Sequence, residues 1–123
     1  MKEITAIIRP KKMVPTKEAL DKLGFPCFMA VQVLGRGKQR GIAAEVNIDP
    51  SSELMAKGRS FGMKYIPKRL LTLVVPDTDV DTVVKTIIKV NETAQIGDGK
   101  IFISPVEEAI RVRTGEVGDN AIH

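Results

Sequence analysis

Apolar and polar residues recur with two different periods along the chain, and these periods predict its strands and helices. Residues 3–9 and 66–75 are rich in β-branched and other apolar residues, and each run is followed by a proline, which is typical of strands. Residues 80–88 place valine and isoleucine at helical spacing, with aspartates near the start and lysines near the end. Further patterns predict a helix over 13–23 and strands over 28–34, 101–104 and 109–114.

The order of these elements predicts an α+β fold. Strand, helix, strand, strand, helix and strand in succession form the βαββαβ pattern of a ferredoxin-like sandwich, with both helices on one face of an antiparallel sheet. The 123 residues suffice for one core, so residues 1–123 are treated as a single domain. The apolar run over 28–34 is expected to be buried on much of both faces, and Cys27 beside it to be a small buried residue.

A long stretch between Gly41 and Ile66 has no sustained period. It lies in the most basic part of the chain, because residues 36–69 contain eight basic and three acidic residues while the whole chain has a net charge of only +4. Loops of this length are usually functional or disordered, and positive charge suits an anionic partner. A recognition arm is the favoured interpretation, and a solvated connecting loop is the alternative.

Catalytic and targeting signals are weak. The sequence has one cysteine, Cys27, and one histidine, His123, so it offers no Cys–His pair and no metal-ligand cluster of these residues. No secretory signal or membrane-spanning run is recognisable, which favours the cytoplasm. These observations predict a binding protein that is not an enzyme.

The stretch IGDGKIFI, residues 96–103, is the best candidate for a phosphate-binding loop. Glycines allow backbone N–H groups to point toward an anion, and Lys100 adds charge. An Asp-Gly pair before an apolar run is also a hairpin signal, and taken alone the hairpin is the favoured interpretation. If residues 109–114 form a strand, Arg111 and Arg113 share one face and could bracket a polyphosphate, which favours nucleotide binding.

Four separated stretches together resemble the PII signal-transduction proteins. These are MKEITAIIRPKK at the N-terminus, VLGRGKQRG, IPKRLLTLVVPD, and IGDGKIFI followed by AIRVRTGE. The resemblance covers nearly the whole chain except residues 42–64. It implies a compact trimer with ATP or ADP between subunits, and 2-oxoglutarate beside Mg-ATP at the base of a long T-loop. That loop would span about 37–65, and a C-terminal tail about 114–123.

The resemblance also implies which residues bind each ligand. In the 2-oxoglutarate site, Lys68 would pair with the distal carboxylate, and Gln39 would ligate Mg²⁺. The full set implied for the nucleotide is Gly37, Gln39, Lys68, Val74, Gly97, Asp98, Gly99, Lys100, Arg111 and Arg113. The set implied for 2-oxoglutarate is Arg9, Gly37, Lys38, Gln39, Arg40, Gly41, Lys68 and Gly97.

Departures from the family pattern suggest a branch. Met29 and Thr72 stand where relatives usually carry a threonine and an acidic residue near the adenosine, which leaves the ATP versus ADP preference open. The lone tyrosine, Tyr65, lies at the end of the T-loop rather than at the usual uridylylation site, and the loop is long. Both features resemble the PII proteins encoded with nitrogenase.

This branch implies a regulator that inhibits dinitrogenase when fixed nitrogen is ample and is released by 2-oxoglutarate. It would act as a homotrimer or with a sister PII-like subunit. Regulation of an ammonium transporter or of glutamine synthetase is the alternative. Nucleic-acid binding through the basic loop is a remote one, because no groove-reading motif is present, and no nucleic-acid partner is expected.

Overall fold

The computed structural model describes residues 1–37 and 65–123. Three short 3₁₀ turns, at Pro10–Lys12, Asp77–Asp79 and Gly118–Ala121, accompany its helices and strands. The main elements are β1 (Lys2–Ile8), α1 (Met13–Leu23), β2 (Met29–Arg36), β3 (Tyr65–Val75), α2 (Val80–Asn91) and β4 (Lys100–Pro105). Residues 38–64, which include nearly all of the predicted T-loop, lie outside the described part.

The four strands form one antiparallel sheet in the order β2-β3-β1-β4. Strand β1 lies inside the sheet, where Lys2 is opposite Val75 of β3 on one side and Pro105 of β4 on the other. Alternate β1 residues are buried, because every second side chain points toward the same face of the sheet. The predicted ferredoxin-like α+β fold is confirmed.

The core lies between the sheet and the two helices. It draws on alternate residues of β1 and β3 and on the apolar stripes of α1 and α2, as the sequence periods predict. Helix α1 ends at Gly24, whose φ of 92° closes the helix in the left-handed conformation. The buried residues of this core are Ile4, Ala6, Ile8, Leu20, Leu71, Leu73, Val75, Val83 and Ile87.

A buried polar contact joins the two helices inside this core. The side-chain amide of Asn91 donates to the Thr16 hydroxyl over 3.0 Å and to the Ile87 carbonyl over 2.9 Å. The Thr16 hydroxyl in turn donates to the Lys12 carbonyl over 2.7 Å. Because a buried polar group is costly unless it is hydrogen-bonded, this contact fixes the end of α2 against α1. The loop that follows α2 therefore starts from a defined position.

The opposite face of the sheet carries apolar side chains that are exposed. Met29 lies opposite Thr72 in the register, and Thr72 and Phe102 both lie opposite Thr5, so these residues form one row across the face. Met29 is 67% exposed and Phe102 is 53% exposed. The expectation that residues 28–34 are buried on much of both faces is wrong, because β2 is an edge strand with exposed residues on both faces, among them Val31 and Leu34. Cys27, just before this strand, is also exposed rather than buried.

The predicted strand over 109–114 is also wrong. Ile110 forms only an isolated bridge with Val117, and residues 112–114 form a turn. The chain folds back on itself here, because Gly115 adopts a φ of 72° and its N–H donates to the Arg111 carbonyl over 2.7 Å. Arg111 and Arg113 therefore do not share a strand face.

No helix within residues 1–37 and 65–123 is long and apolar enough to cross a membrane.

Candidate ligand site at the loop between α2 and β4

The loop that leads from α2 into β4 holds two glycines in the left-handed region. Gly97 has a φ of 99° and Gly99 a φ of 115°, values that residues with a side chain rarely adopt. Gly99 also lies against strand β1, where an added Cβ would stand 1.8 Å from the Ile7 carbonyl oxygen. Glycine is therefore required at residue 99 for the loop to pass this close to the sheet.

Asp98, between these glycines, points back into the loop. Its carboxylate accepts hydrogen bonds from the Thr93 hydroxyl over 2.5 Å and from the Thr93 backbone N–H over 2.6 Å. The Arg9 guanidinium donates to the same carboxylate over 2.5 Å. Because these donors stabilise the charged form, the two Thr93 bonds first and Arg9 next, the pKa of Asp98 is held well below its ordinary value.

Two buried cations meet at this loop from different parts of the sheet. Arg9, immediately after β1, is 7% exposed, and Lys68, on β3, is 8% exposed. Arg9 also donates to the Ile96 carbonyl over 3.1 Å, and the Lys68 ammonium donates to the Gly97 carbonyl over 2.7 Å. The loop conformation therefore depends on both cations, which come from residues far apart in the sequence.

This arrangement is chemically suited to an anion. An ammonium group binds a carboxylate oxygen more strongly than a neutral carbonyl oxygen, because the bond is then assisted by charge on both partners. A carboxylate near Lys68 could therefore compete with the Gly97 carbonyl for the ammonium. Such an exchange would remove the hydrogen bond that Lys68 makes to the loop at Gly97.

The remaining nucleotide candidates on the sheet lie next to this loop or on the exposed face of the sheet. Lys100 is exposed at the start of β4, opposite Ile7. Val74 follows Thr72 by two residues on β3 and so points toward the same face. Met29 and Thr72, the two departures from the family pattern, are direct cross-strand neighbours.

Arg111 and Arg113 lie in a different part of the chain. The Arg111 side chain donates to Glu116, to the Asn120 carbonyl and to the His123 carbonyl. Arg113 is exposed in the turn over 112–114. The structure thus brings together Arg9, Lys68, Gly97 and Asp98, with Gly99 and Lys100 next to them, and gives the two arginines a separate setting.

Several predicted ligand residues lie outside the described part of the chain. Gly37 is the last described residue before the gap, and Lys38, Gln39, Arg40 and Gly41 fall within it. Among residues 1–37 and 65–123, no group of three or more histidine, cysteine or acidic side chains could hold a metal ion. The Mg²⁺ site at Gln39 therefore stays a prediction.

Thr93 is a residue of this site that belongs to none of the motifs in the sequence. It anchors Asp98 through both its hydroxyl and its backbone N–H. No local pattern in the sequence marks this threonine, because its contact with Asp98 depends on how the loop after α2 folds back.

The chain is similar to nitrogen regulatory proteins throughout its length. The model of the family "Nitrogen regulatory protein P-II" matches residues 1–116. A Methanosarcina barkeri protein named "Nitrogen fixation nifHD1 region GlnB-like protein 2" is 61% identical, with 99% of each chain covered. A Methanococcus maripaludis protein named "Nitrogen fixation nifHD region glnB-like protein 2" is 52% identical, over 99% of this chain and 100% of that one.

A solved structure agrees with these sequence relatives. The crystal structure of Arabidopsis thaliana PII bound to citrate matches with a TM-score of 0.72 and 32% identity, covering 98% of this chain and 90% of that one. The names of the close relatives also support the predicted nitrogenase-associated branch. The chain belongs to the nitrogen regulatory protein P-II family.

Proposed function

We propose that this protein reports nitrogen status by binding ATP or ADP together with 2-oxoglutarate, and that it controls a target protein through the T-loop, residues of about 37–65. The target is the dinitrogenase component of nitrogenase, which the protein inhibits when fixed nitrogen is ample. Rising 2-oxoglutarate relieves the inhibition. Residues 1–123 act as one domain in this scheme.

The observation that carries the proposal is the contact of Lys68 with Gly97, which are 29 residues apart in sequence and joined over 2.7 Å. Lys68 is the residue proposed to bind the distal carboxylate of 2-oxoglutarate, and Gly97 belongs to the loop proposed to hold the nucleotide phosphates. One hydrogen bond therefore links the proposed 2-oxoglutarate site to the proposed nucleotide site. A ligand that binds the Lys68 ammonium can shift the loop between its arrangements with and without the Lys68–Gly97 bond. The shift is limited by the difference in the ligand's affinity for these two arrangements.

The uncovered sheet face supports an assembly of several copies. Met29, Val31 and Phe102 are each more than half exposed, and monomeric proteins rarely expose a contiguous apolar patch of this kind. We propose that a trimer, of this chain alone or with a sister PII-like subunit, covers this face. Nucleotide would then lie between the glycine loop of one subunit and the arginines of another, with Mg²⁺ bound by the phosphates and by Gln39.

Replacing Lys68 by alanine is expected to abolish 2-oxoglutarate binding and to weaken ATP binding much less. The carboxylate loses its cation, whereas the phosphates keep the other proposed contacts. Isothermal titration calorimetry with 2-oxoglutarate in the presence of Mg-ATP measures the loss, and titration with ATP alone measures what is retained. The Lys89→Ala variant is the control, because Lys89 is an exposed lysine on α2. Unchanged 2-oxoglutarate affinity in Lys68→Ala would contradict the site.

The target assignment rests on the relatives named for nitrogen-fixation regions. Added to purified dinitrogenase and its reductase with ATP present, the protein, together with a sister subunit if one is required, is expected to lower acetylene reduction. Millimolar 2-oxoglutarate is expected to restore the activity in the wild type but not in Lys68→Ala. Binding to an ammonium transporter or to glutamine synthetase, with no effect on dinitrogenase, would favour the alternative target.

A further inference from the structure

The side chain of Arg111 is occupied by the C-terminal part of its own chain. Nη1 donates to Glu116 Oε1 over 2.8 Å, and Nη2 donates to the carbonyl oxygens of Asn120 and His123 over 3.0 and 2.7 Å. Two bonds from Nη2 use both of its hydrogens. The end of the guanidinium that would form a two-pronged contact with a phosphate is thus already engaged.

Backbone hydrogen bonds between residues 108–111 and 116–118 hold the C-terminal part of the chain next to Arg111. The Arg111 N–H donates to the Glu116 carbonyl over 2.9 Å, and the Gly118 N–H donates to the Ala109 carbonyl over 3.0 Å. Gly115 and Gly118 both adopt positive φ, at 72° and 67°. Glu108 also accepts from the Gly118 N–H over 2.9 Å, so the reversal of the chain is held at several points. The contact with Arg111 is therefore part of the fold of residues 108–123.

Arg111 and Arg113 differ in how far their side chains are engaged by the rest of the chain. The Arg111 side chain is 26% exposed and bound by three acceptors, whereas Arg113 is exposed in the turn. The family resemblance implies that both arginines bind the nucleotide phosphates. Only Arg111 would have to give up acceptors of its own chain to bind a phosphate in the two-pronged manner.

We propose that residues 116–123 form an autoinhibitory latch, which occupies the Arg111 guanidinium and so lowers the affinity of the proposed site for nucleotide phosphates. This inference rests on the proposed function, because it assumes that Arg111 binds phosphate. A phosphate and the latch compete for the same N–H groups. The affinity for nucleotide then depends on the fraction of molecules in which the latch is open.

The size of the effect follows from this competition. The apparent dissociation constant is the intrinsic constant divided by the open fraction, so a latch that is closed in nine molecules of ten weakens binding about tenfold. Partly exposed ion pairs and hydrogen bonds are individually weak. We therefore expect removal of the latch to tighten nucleotide binding by about three- to tenfold.

The test is a calorimetric titration of the wild type and of a variant lacking residues 119–123 with ATP and with ADP. This truncation removes the Asn120 and His123 carbonyls but keeps Glu116 and the Gly118 contact with Ala109. The full-length variant Glu116→Gln removes one acceptor charge without shortening the chain, and it is expected to tighten binding by about twofold. Glu107→Gln removes the same charge from an exposed glutamate outside the latch and is expected to leave the affinity unchanged.

The outcomes separate the latch from the proposed function. Tighter nucleotide binding by the truncated protein and by Glu116→Gln supports the latch, provided that Arg111→Ala abolishes the gain. Equal or weaker binding by both variants overturns the latch and leaves nucleotide binding itself intact. Absence of ATP and ADP binding by the wild type and by every variant overturns both proposals.

Discussion

Replacing Gly99 by alanine is expected to destabilise the protein by about 4 kcal/mol or more, which places it among the most severe single substitutions. The added Cβ would stand 1.8 Å from the Ile7 carbonyl oxygen, and the φ of 115° is itself unfavourable for alanine. Neither the sheet nor the loop can relieve the overlap alone, because Ile7 and Lys100 are register partners in the β1–β4 pair. Equilibrium unfolding in urea measures the loss.

Gly115→Ala is the matched control for this substitution. Gly115 also has a positive φ, of 72°, but nothing lies within 4 Å of an added Cβ. Its cost should be limited to the backbone conformation, about 1–2 kcal/mol. The excess cost at Gly99 then reports the steric overlap with Ile7 together with its less favourable φ, and equal stability of the two variants would contradict the close approach of the loop to β1.

Replacing Asp98 by asparagine is expected to lower the thermal unfolding midpoint substantially and to weaken binding at the glycine loop. The substitution removes the ion pair with Arg9, whose side chain is only 8% exposed. Removing the charged partner of a buried cation is strongly destabilising. The asparagine has one acceptor oxygen in place of two and keeps at most one of the two Thr93 bonds, so the loss reports the charge together with that bond. Asp21→Asn, which removes an exposed carboxylate on α1, is the control and should change the midpoint little.

The same pair predicts how stability depends on pH. The pKa of Asp98 in the folded protein is lowered from its ordinary value of 3.8 by the Thr93 bonds and by Arg9. Its contribution to stability is therefore complete above the unfolded pKa and is lost as the pH falls from about 4 toward the folded value. Unfolding midpoints measured from pH 6 to pH 2 should fall less steeply in Asp98→Asn than in the wild type. Parallel profiles would show that the carboxylate is not held as the structure places it.

Elements with a strong period were predictable from the sequence. The strand predicted over 66–75 is observed at Tyr65–Val75, and the helical stripe over 80–88 lies within α2, Val80–Asn91. Both elements pack against the core, so their apolar residues recur on the side that faces it. The glycines at 97 and 99 marked a turn, but this turn joins α2 to β4 and is not the hairpin that the stretch taken alone favours.

Residues 109–114 and strand β2 show why other parts were not predictable. An alternating pattern indicates which side chains share a face only if a partner strand exists, and residues 109–114 have an isolated bridge in place of one. An apolar run predicts that its side chains are buried, but the period of the run does not show whether a helix of the same chain covers them. The sequence of β2 therefore shows the same apolar pattern as a buried strand, although its side chains are exposed.

The candidate site was predicted by residue type rather than by geometry. The glycine loop and Lys68 could be named from motifs, whereas the pairing of Arg9 with Asp98 joins residues 89 apart in the sequence. No local pattern reports such a contact, because it depends on how β1 and the loop after α2 meet. The side chain of Asp98 is therefore a structural anchor of the loop.

The contact of Arg111 with the C-terminal segment has an evolutionary consequence. Two of its three acceptors, at Asn120 and His123, are backbone oxygens, which every residue type supplies. Point substitutions at these two positions could therefore accumulate among relatives without loss of the contact, and a comparison of residue identities would overlook it. Changes in the number of residues between 116 and 123 would move the oxygens away. Segment length, rather than composition, is the trait on which selection for this contact would act.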